Sequence, residues 1–149
     1  MAIQLRPVDS DNIADVVRIR VTEAQEHFVA PVVNSLAEAY VNQDTAWPRV
    51  VFSDDVAVAF VMGAFDPGAE PDFFRCGIWR LNVAADHQGK GFGRFAVESV
   101  LNEARRRGET RATVLWVPGE GGPEGFWRSM GFEPTGEDFY GQTVAEIFL

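Results

Sequence analysis

The stretch Leu81-Asn82-Val83-Ala84-Ala85-Asp86-His87-Gln88-Gly89-Lys90-Gly91-Phe92-Gly93-Arg94 holds the residues best suited to chemistry. A strand-like run ends, three glycines follow at alternate positions, and an apolar helical pattern starts at once. Glycine lets the backbone come close to a ligand, and free N–H groups at a helix start favour an anion such as pyrophosphate. Lys90 and Arg94 add positive charge. Two nucleotide-binding patterns fail on spacing. No Gly-Lys-Ser/Thr follows a four-residue gap, as a P-loop needs, and the Gly-x-Gly-x-x-Gly of a dinucleotide fold is absent. The plain alternative is a tight strand-to-helix connection.

The single cysteine, Cys76, excludes an internal disulfide and a multi-cysteine zinc site. It lies in the apolar run Cys76-Gly77-Ile78-Trp79, which reads as core packing rather than as a nucleophile's surroundings.

Behind these residues stands an ordinary globular chain. At 149 residues, with 46% hydrophobic and 23% charged side chains, it can bury one core, so residues 1–149 are expected to form a single domain. Thirteen basic residues, twelve Arg and Lys90, against 22 acidic ones leave a net charge of −9. That balance argues against binding to nucleic-acid phosphates and points weakly to a cationic partner. The charge is uneven: residues 75–111 carry eight basic and four acidic side chains, while both flanks are acidic. No apolar stretch reaches the ~18 residues of a membrane span and the start lacks a signal-peptide core, so the expected location is cytoplasmic.

Periodicity places the elements. Ile3 to Val8 alternates as a strand, Asp9 to Asn12 offers helix caps, and Ile13, Val16, Val17 and Arg20 fit a helix. Asn34 or Ser35 is expected to cap a second helix through Tyr40. Trp47–Phe52 and Val56–Phe65 read as strands around a Ser53-Asp54-Asp55 turn, and Phe73–Val83 as a third. Gly93–Arg107 is the clearest helix, with Ala96, Val97, Val100, Leu101 and Ala104 on one face, Glu103 and Arg107 paired, and Gly108 ending it. Thr110–Val117, Glu124–Met130 and Val144–Leu149 complete a strand–helix–strand series, an α/β layered domain.

Gln88-Gly89-Lys90-Gly91-Phe92-Gly93 resembles the Q/R-x-x-G-x-G/A acetyl-CoA loop of the GNAT N-acetyltransferases, and Phe126-Trp127-Arg128-Ser129-Met130-Gly131-Phe132 resembles their later FYxxxGF segment. The order of elements along nearly the whole chain is similar to that family. Phe28-Val29-Ala30-Pro31, Asn34 to Tyr40, Ile78-Trp79-Arg80-Leu81 and Val117 to Gly121 further resemble a bacterial branch that includes spermidine and diamine acetyltransferases. The resemblance implies a mixed sheet of six to seven strands flanked by about four helices, with a splayed strand pair at the acetyl-CoA site. It implies acetyl-CoA as cosubstrate without a metal, a small-molecule primary amine as acceptor, and admits a homodimer.

By the same resemblance, Gln88, Gly89, Lys90, Gly91, Phe92, Gly93 and Arg94 would hold the pyrophosphate. The backbone of Leu81, Asn82 and Val83, with Phe126 nearby, would hold the pantetheine arm, and the Val83 N–H would stabilise the oxyanion. The family's tyrosine acid is replaced by Trp127, whose indole N–H donates a hydrogen bond but is no acid near neutral pH. Glu26, His27, Phe28, Glu120 and Tyr140 are the expected acceptor-side residues, Glu120 being the carboxylate expected to meet the amine. Gln142 stands where relatives often carry an acidic residue, which with Trp127 speaks for a bulkier or less charged amine than a plain polyamine. Two other readings compete: a non-catalytic acyl-CoA sensor or scaffold, and an enzyme that acetylates protein or peptide amines.

Overall fold

The computed structural model describes residues 2–149. Seven strands form one sheet: β1 (Ile3–Pro7), β2 (Ala46–Ser53), β3 (Val56–Phe65), β4 (Cys76–Val83), β5 (Arg111–Trp116), β6 (Glu133–Phe139) and β7 (Gln142–Phe148). Their order across the sheet is β1-β2-β3-β4-β5-β7-β6. Every pairing is antiparallel except β4 with β5. Four helices flank the sheet: α1 (Ile13–Val16), α2 (Val32–Val41), α3 (Phe92–Arg106) and α4 (Glu124–Ser129). The α/β class is the one the periodicity implies, and the strand and helix numbers are those the family resemblance implies.

Two cores lie on the two sheet faces. The larger joins α3 and α4 to Val61, Ile78, Val114 and Phe132, and the smaller joins α1 and α2 to Val50, Phe60 and Met62. The expected apolar face of α3 is buried throughout, from Ala96 to Ala104. Its end also forms as read. Arg107 Nε meets Glu103 at 2.8 Å, and Gly108 adopts φ 84, a left-handed conformation that glycine supplies without strain.

Three local expectations are corrected and one strand is added. The first helix is a single turn ending at Val16, where two β-branched residues follow one another at Val16 and Val17, while at its start the Asp9 side chain accepts from Asp11 N and Asn12 N and the Asn12 side chain bonds Asp9 N and Pro7 O. The second helix starts at Val32, ahead of Asn34 and Ser35, since Pro31 pre-sets the backbone for entry and has no N–H to leave unpaired. Strand β4 begins at Cys76, as Asp72–Phe74 forms one 3-10 turn whose rings pack on Phe139. Strand β6 carries no alternating apolar signal, being exposed at all but Thr135 and Phe139, and only its pairing with β7 defines it.

No helix among the described residues is long and apolar enough to cross a membrane. Cys76 is 5% exposed, and burial pushes its thiol up to about 12, which suits packing rather than attack.

Candidate active site

The only parallel pairing in the described sheet is also its shortest. Gly77 pairs with Thr113 and Ile78 with Val114, and there the contact stops. The close approach needs glycine, since a Cβ on Gly77 would lie 2.2 Å from the Thr113 carbonyl oxygen. Just beyond, Ile78 pairs with Gly63 of β3 but Arg80 pairs with Met62, so Trp79 is an extra residue, a β-bulge. A bulge bends its strand. Strand β4 therefore leaves β5 and opens a cleft of about 880 Å3 between them.

Hydrogen-bond parity decides which amides face this cleft. Ala84 N donates to Val58 O of β3, and neighbouring residues of an antiparallel pair alternate in direction. Residues 80, 82 and 84 thus turn their backbone groups to β3, while Leu81 and Val83 present theirs to the open side. Leu81 and Val83 accordingly line the cleft. Asn82 does not: it is 2% exposed and its Nδ2 donates to Ala30 O at 3.0 Å.

Strand β4 runs into the glycine loop. Gly89 and Gly91 adopt φ 76 and 89, and a Cβ on either would meet nothing within 4 Å, so conformation alone demands glycine there. Gly91 caps α3 without any side-chain bond, which leaves the first-turn amides of Phe92, Gly93 and Arg94 open at the cleft. Gly93 serves differently: a Cβ would stand 3.3 Å from both Phe126 and Val83, so its bareness lets α3, α4 and β4 meet. The Gln88 side chain donates to Val83 O at 3.1 Å and exchanges hydrogen bonds with Gln25.

The opposite wall is built from Glu26 to Pro31 and from Gly121 to Pro123. These segments touch through Phe28, whose Cε1 lies 3.0 Å from where a Gly122 Cβ would be. The His27 ring stacks on Phe28 at 3.9 Å. Phe126 and Trp127 close the floor from α4, Trp127 being 5% exposed and edge-on to both Phe126 and Phe132.

The model of the acetyltransferase (GNAT) family matches residues 15–132, most of the chain and nearly all of this site. The chain belongs to the GNAT acetyltransferase family. N-acetyltransferase 8 of Rattus norvegicus is 36% identical over 62 residues, which is 42% of this chain and only 28% of that relative. Solved structures carry the same fold. The GNAT domain of S. lividans PAT superposes with a TM-score of 0.78 at 16% identity, covering 99% of this chain and 90% of that one. The PaiA N-acetyltransferase from Thermoplasma acidophilum, solved with coenzyme A, gives 0.71 at 12% identity over the full length of both.

In this GNAT chain the cleft gathers Glu26, His27, Phe28, Leu81, Val83, Gln88, Gly89, Gly91, Phe92, Gly93, Arg94, Phe126 and Trp127 from the residues expected by sequence. It leaves out four. Lys90 is exposed at the crest of the loop, outside the lining. Glu120 is exposed, because the turn carries Gly121 and Gly122 into the wall in its stead. Tyr140 is 93% exposed at the tip of the β6–β7 hairpin. Asn82 is the fourth. The cleft also takes in Gln25, Asn34, Trp79, Arg80 and Trp116, none of them expected. Asn34, Trp79 and Arg80 lie in segments that carry the family resemblance, but their place at the cleft depends on the β4 bulge and on a distant segment, and Gln25 and Trp116 lie in no such segment.

Proposed function

We propose that the chain transfers an acetyl group from acetyl-CoA directly to the primary amine of a small molecule. The observation that carries this reading is the continuity of the open β4 edge with the glycine loop and the uncapped start of α3. A cosubstrate with amide groups at one end and a pyrophosphate at the other matches that run of donors and acceptors. Leu81 and Val83 would pair with the pantetheine amides as an added strand does. The first-turn amides of α3, with Arg94, would hold the phosphates.

The chemistry asks for three things. An alkyl ammonium, with a pKa near ~10, must shed a proton, and Glu26 and His27 are the groups of the acceptor wall able to receive it. The freed nitrogen lone pair attacks the thioester carbonyl, and a β4 amide at Leu81 or Val83 stabilises the resulting oxyanion. The C–S bond then breaks, its electron pair leaving on sulfur. Trp127 can donate a hydrogen bond to that thiolate but no proton, so protonation falls to solvent.

The sequence resemblance points to a diamine or polyamine as acceptor. Among the described residues Glu26 is the sole carboxylate lining the cleft, which supports an acceptor of lower charge. A thiol-release assay over a panel of primary amines tests the reading. Turnover with mass-confirmed N-acetylation is expected. Failure to bind acetyl-CoA would overturn it, and tight binding with no turnover on any amine would favour a sensor or scaffold instead.

A further inference from the structure

Arg80 enters the cleft from the face of the sheet opposite the glycine loop. It pairs with Met62, a member of the α1–α2 core, whereas its neighbours Leu81 and Val83 pack with the α3 core. Directly paired residues share a face of the sheet. The Arg80 side chain therefore lies away from α3, whose start would take the phosphates, and the cation on that side is Arg94.

The guanidinium is held but not saturated. Its Nη2 stands 3.3 Å from each carboxylate oxygen of Glu38, and Nη1 donates to Trp79 O at 3.0 Å. Strong charge-assisted contacts measure roughly 2.7–2.9 Å. Nε is buried and has no acceptor in the chain. Glu38 comes from α2 and does not line the cleft, while Arg80 does, with its side chain 24% exposed. Glu38 thus holds the guanidinium from α2 through Nη2, and the fork, partly exposed at the cleft, keeps unspent N–H donors on Nη1 and Nη2.

We propose that the acceptor carries a carboxylate in addition to its amine, and that Arg80 selects it. A planar fork with free donors matches a carboxylate better than any other group it could meet on the acceptor side. A polycation would instead face Arg80 with Glu26 as its one counter-charge. The inference rests on the acetyl-transfer reading, and it replaces the diamine acceptor with an amino acid or a related amino-carboxylate. A tie between α2 and β4 is the competing role for the Glu38–Arg80 pair, and it makes a different prediction.

The test is a panel of matched pairs, each an amino acid and the amine that lacks its carboxylate, assayed for kcat/KM with acetyl-CoA in excess. At least one pair is expected to favour the carboxylate member by roughly tenfold or more, as hydrogen bonds to charged groups allow. Arg80→Gln should collapse that ratio toward unity, with Arg80→Lys between the two. A purely structural tie would lower both members together and leave the ratio alone, which overturns the proposal. So does a wild-type enzyme that prefers the decarboxylated member of every pair or turns over diamines alone, a result readable even if the variants fail to fold. Acetyl-CoA binding, titrated separately, tells the two failures apart: its absence removes the acetyl-transfer reading, its presence with no carboxylate preference removes only this one.

Discussion

The side-chain amides of Gln25 and Gln88, 63 residues apart in the chain, face each other and exchange hydrogen bonds. Gln88 Nε2 donates to Gln25 Oε1 at 2.8 Å, and Gln25 Nε2 donates back at 3.1 Å. Because Gln88 also holds Val83 O, one amide fastens the segment leading into the Glu26–Pro31 wall, the open strand and the glycine loop together. Replacing Gln25 with Leu strands half of this pair. We expect about 1 kcal/mol of lost stability and a several-fold weaker hold on acetyl-CoA. Thermal unfolding and a binding titration measure the two, and an unchanged acetyl-CoA affinity would mean that the loop is not anchored from Gln25.

Gly91→Ala addresses the loop directly. With φ at 89 and no neighbour for a Cβ, any penalty is conformational, about 1–2 kcal/mol for an L-residue held in the left-handed region. Acetyl-CoA affinity should fall with it, since the residue caps α3 beside the open amides. Calorimetric titration of acetyl-CoA against Gly91→Ala is the check, and equal affinity would place the phosphates elsewhere.

Gly122→Ala probes the other wall. Its Cβ would sit 2.9 Å from Gly119 O and 3.0 Å from Phe28, so the 119–122 turn must shift and the Phe28 ring must give with it. The expected signature is a raised KM for the amine with the KM for acetyl-CoA little altered. Steady-state kinetics in both substrates separates these, and an effect on acetyl-CoA alone would contradict the assignment of this wall to the acceptor.

Trp127 gives a prediction in pH. An indole has no proton to lose in the working range, so the wild-type rate should lack an alkaline descent assignable to a side-chain acid below roughly pH 10. Trp127→Tyr should introduce a descent at pH ~10 as its phenol ionises. Rate–pH profiles of the two proteins decide the matter, and a descent already present in the wild type would reveal another acid.

Cys76 offers a handle on stability. Burial raises its folded pKa from 9.0 to about 12, with Glu109 adding to the shift and Arg107 opposing it. A thiol neutral in the fold and ionised when unfolded stabilises fully below pH 9 and loses that contribution as pH rises toward 12. Urea midpoints of wild type and Cys76→Ala should therefore converge between those limits. The same thiol should resist alkylation at pH 8 until the chain unfolds.

Much of this site was legible in the residues. The alternate glycines at 89, 91 and 93 announced the loop, and the stripe from Ala96 to Ala104 announced the helix behind it. Their signals are local: φ, steric room and a 3.6-residue period. Arg80 was not legible as a cleft residue, because its face depends on one extra residue at Trp79, and a slip of one position reverses every side chain after it. The difference between Asn82 and its neighbours Leu81 and Val83 was hidden for a related reason, as only the pairing with β3 shows which backbone groups are spent. Glu120 and Tyr140 lay close in sequence to cleft residues, yet tight turns carry a neighbour inward and leave them in water. Sequence distance measures little across a turn.

The brief meeting of β4 and β5 has a consequence for how this protein survives between substrates. Unpaired strand edges invite other chains, and proteins ordinarily blunt outer ones with charge, proline or bulges. Here a raw edge lies inside the sheet, recessed between the walls at Phe28 and Phe126. A thin, linear guest that enters between those walls would complete the sheet there. On the reading proposed above, the enzyme is an unfinished sheet that selects its own missing strand, and occupancy and solubility become linked properties of one gap.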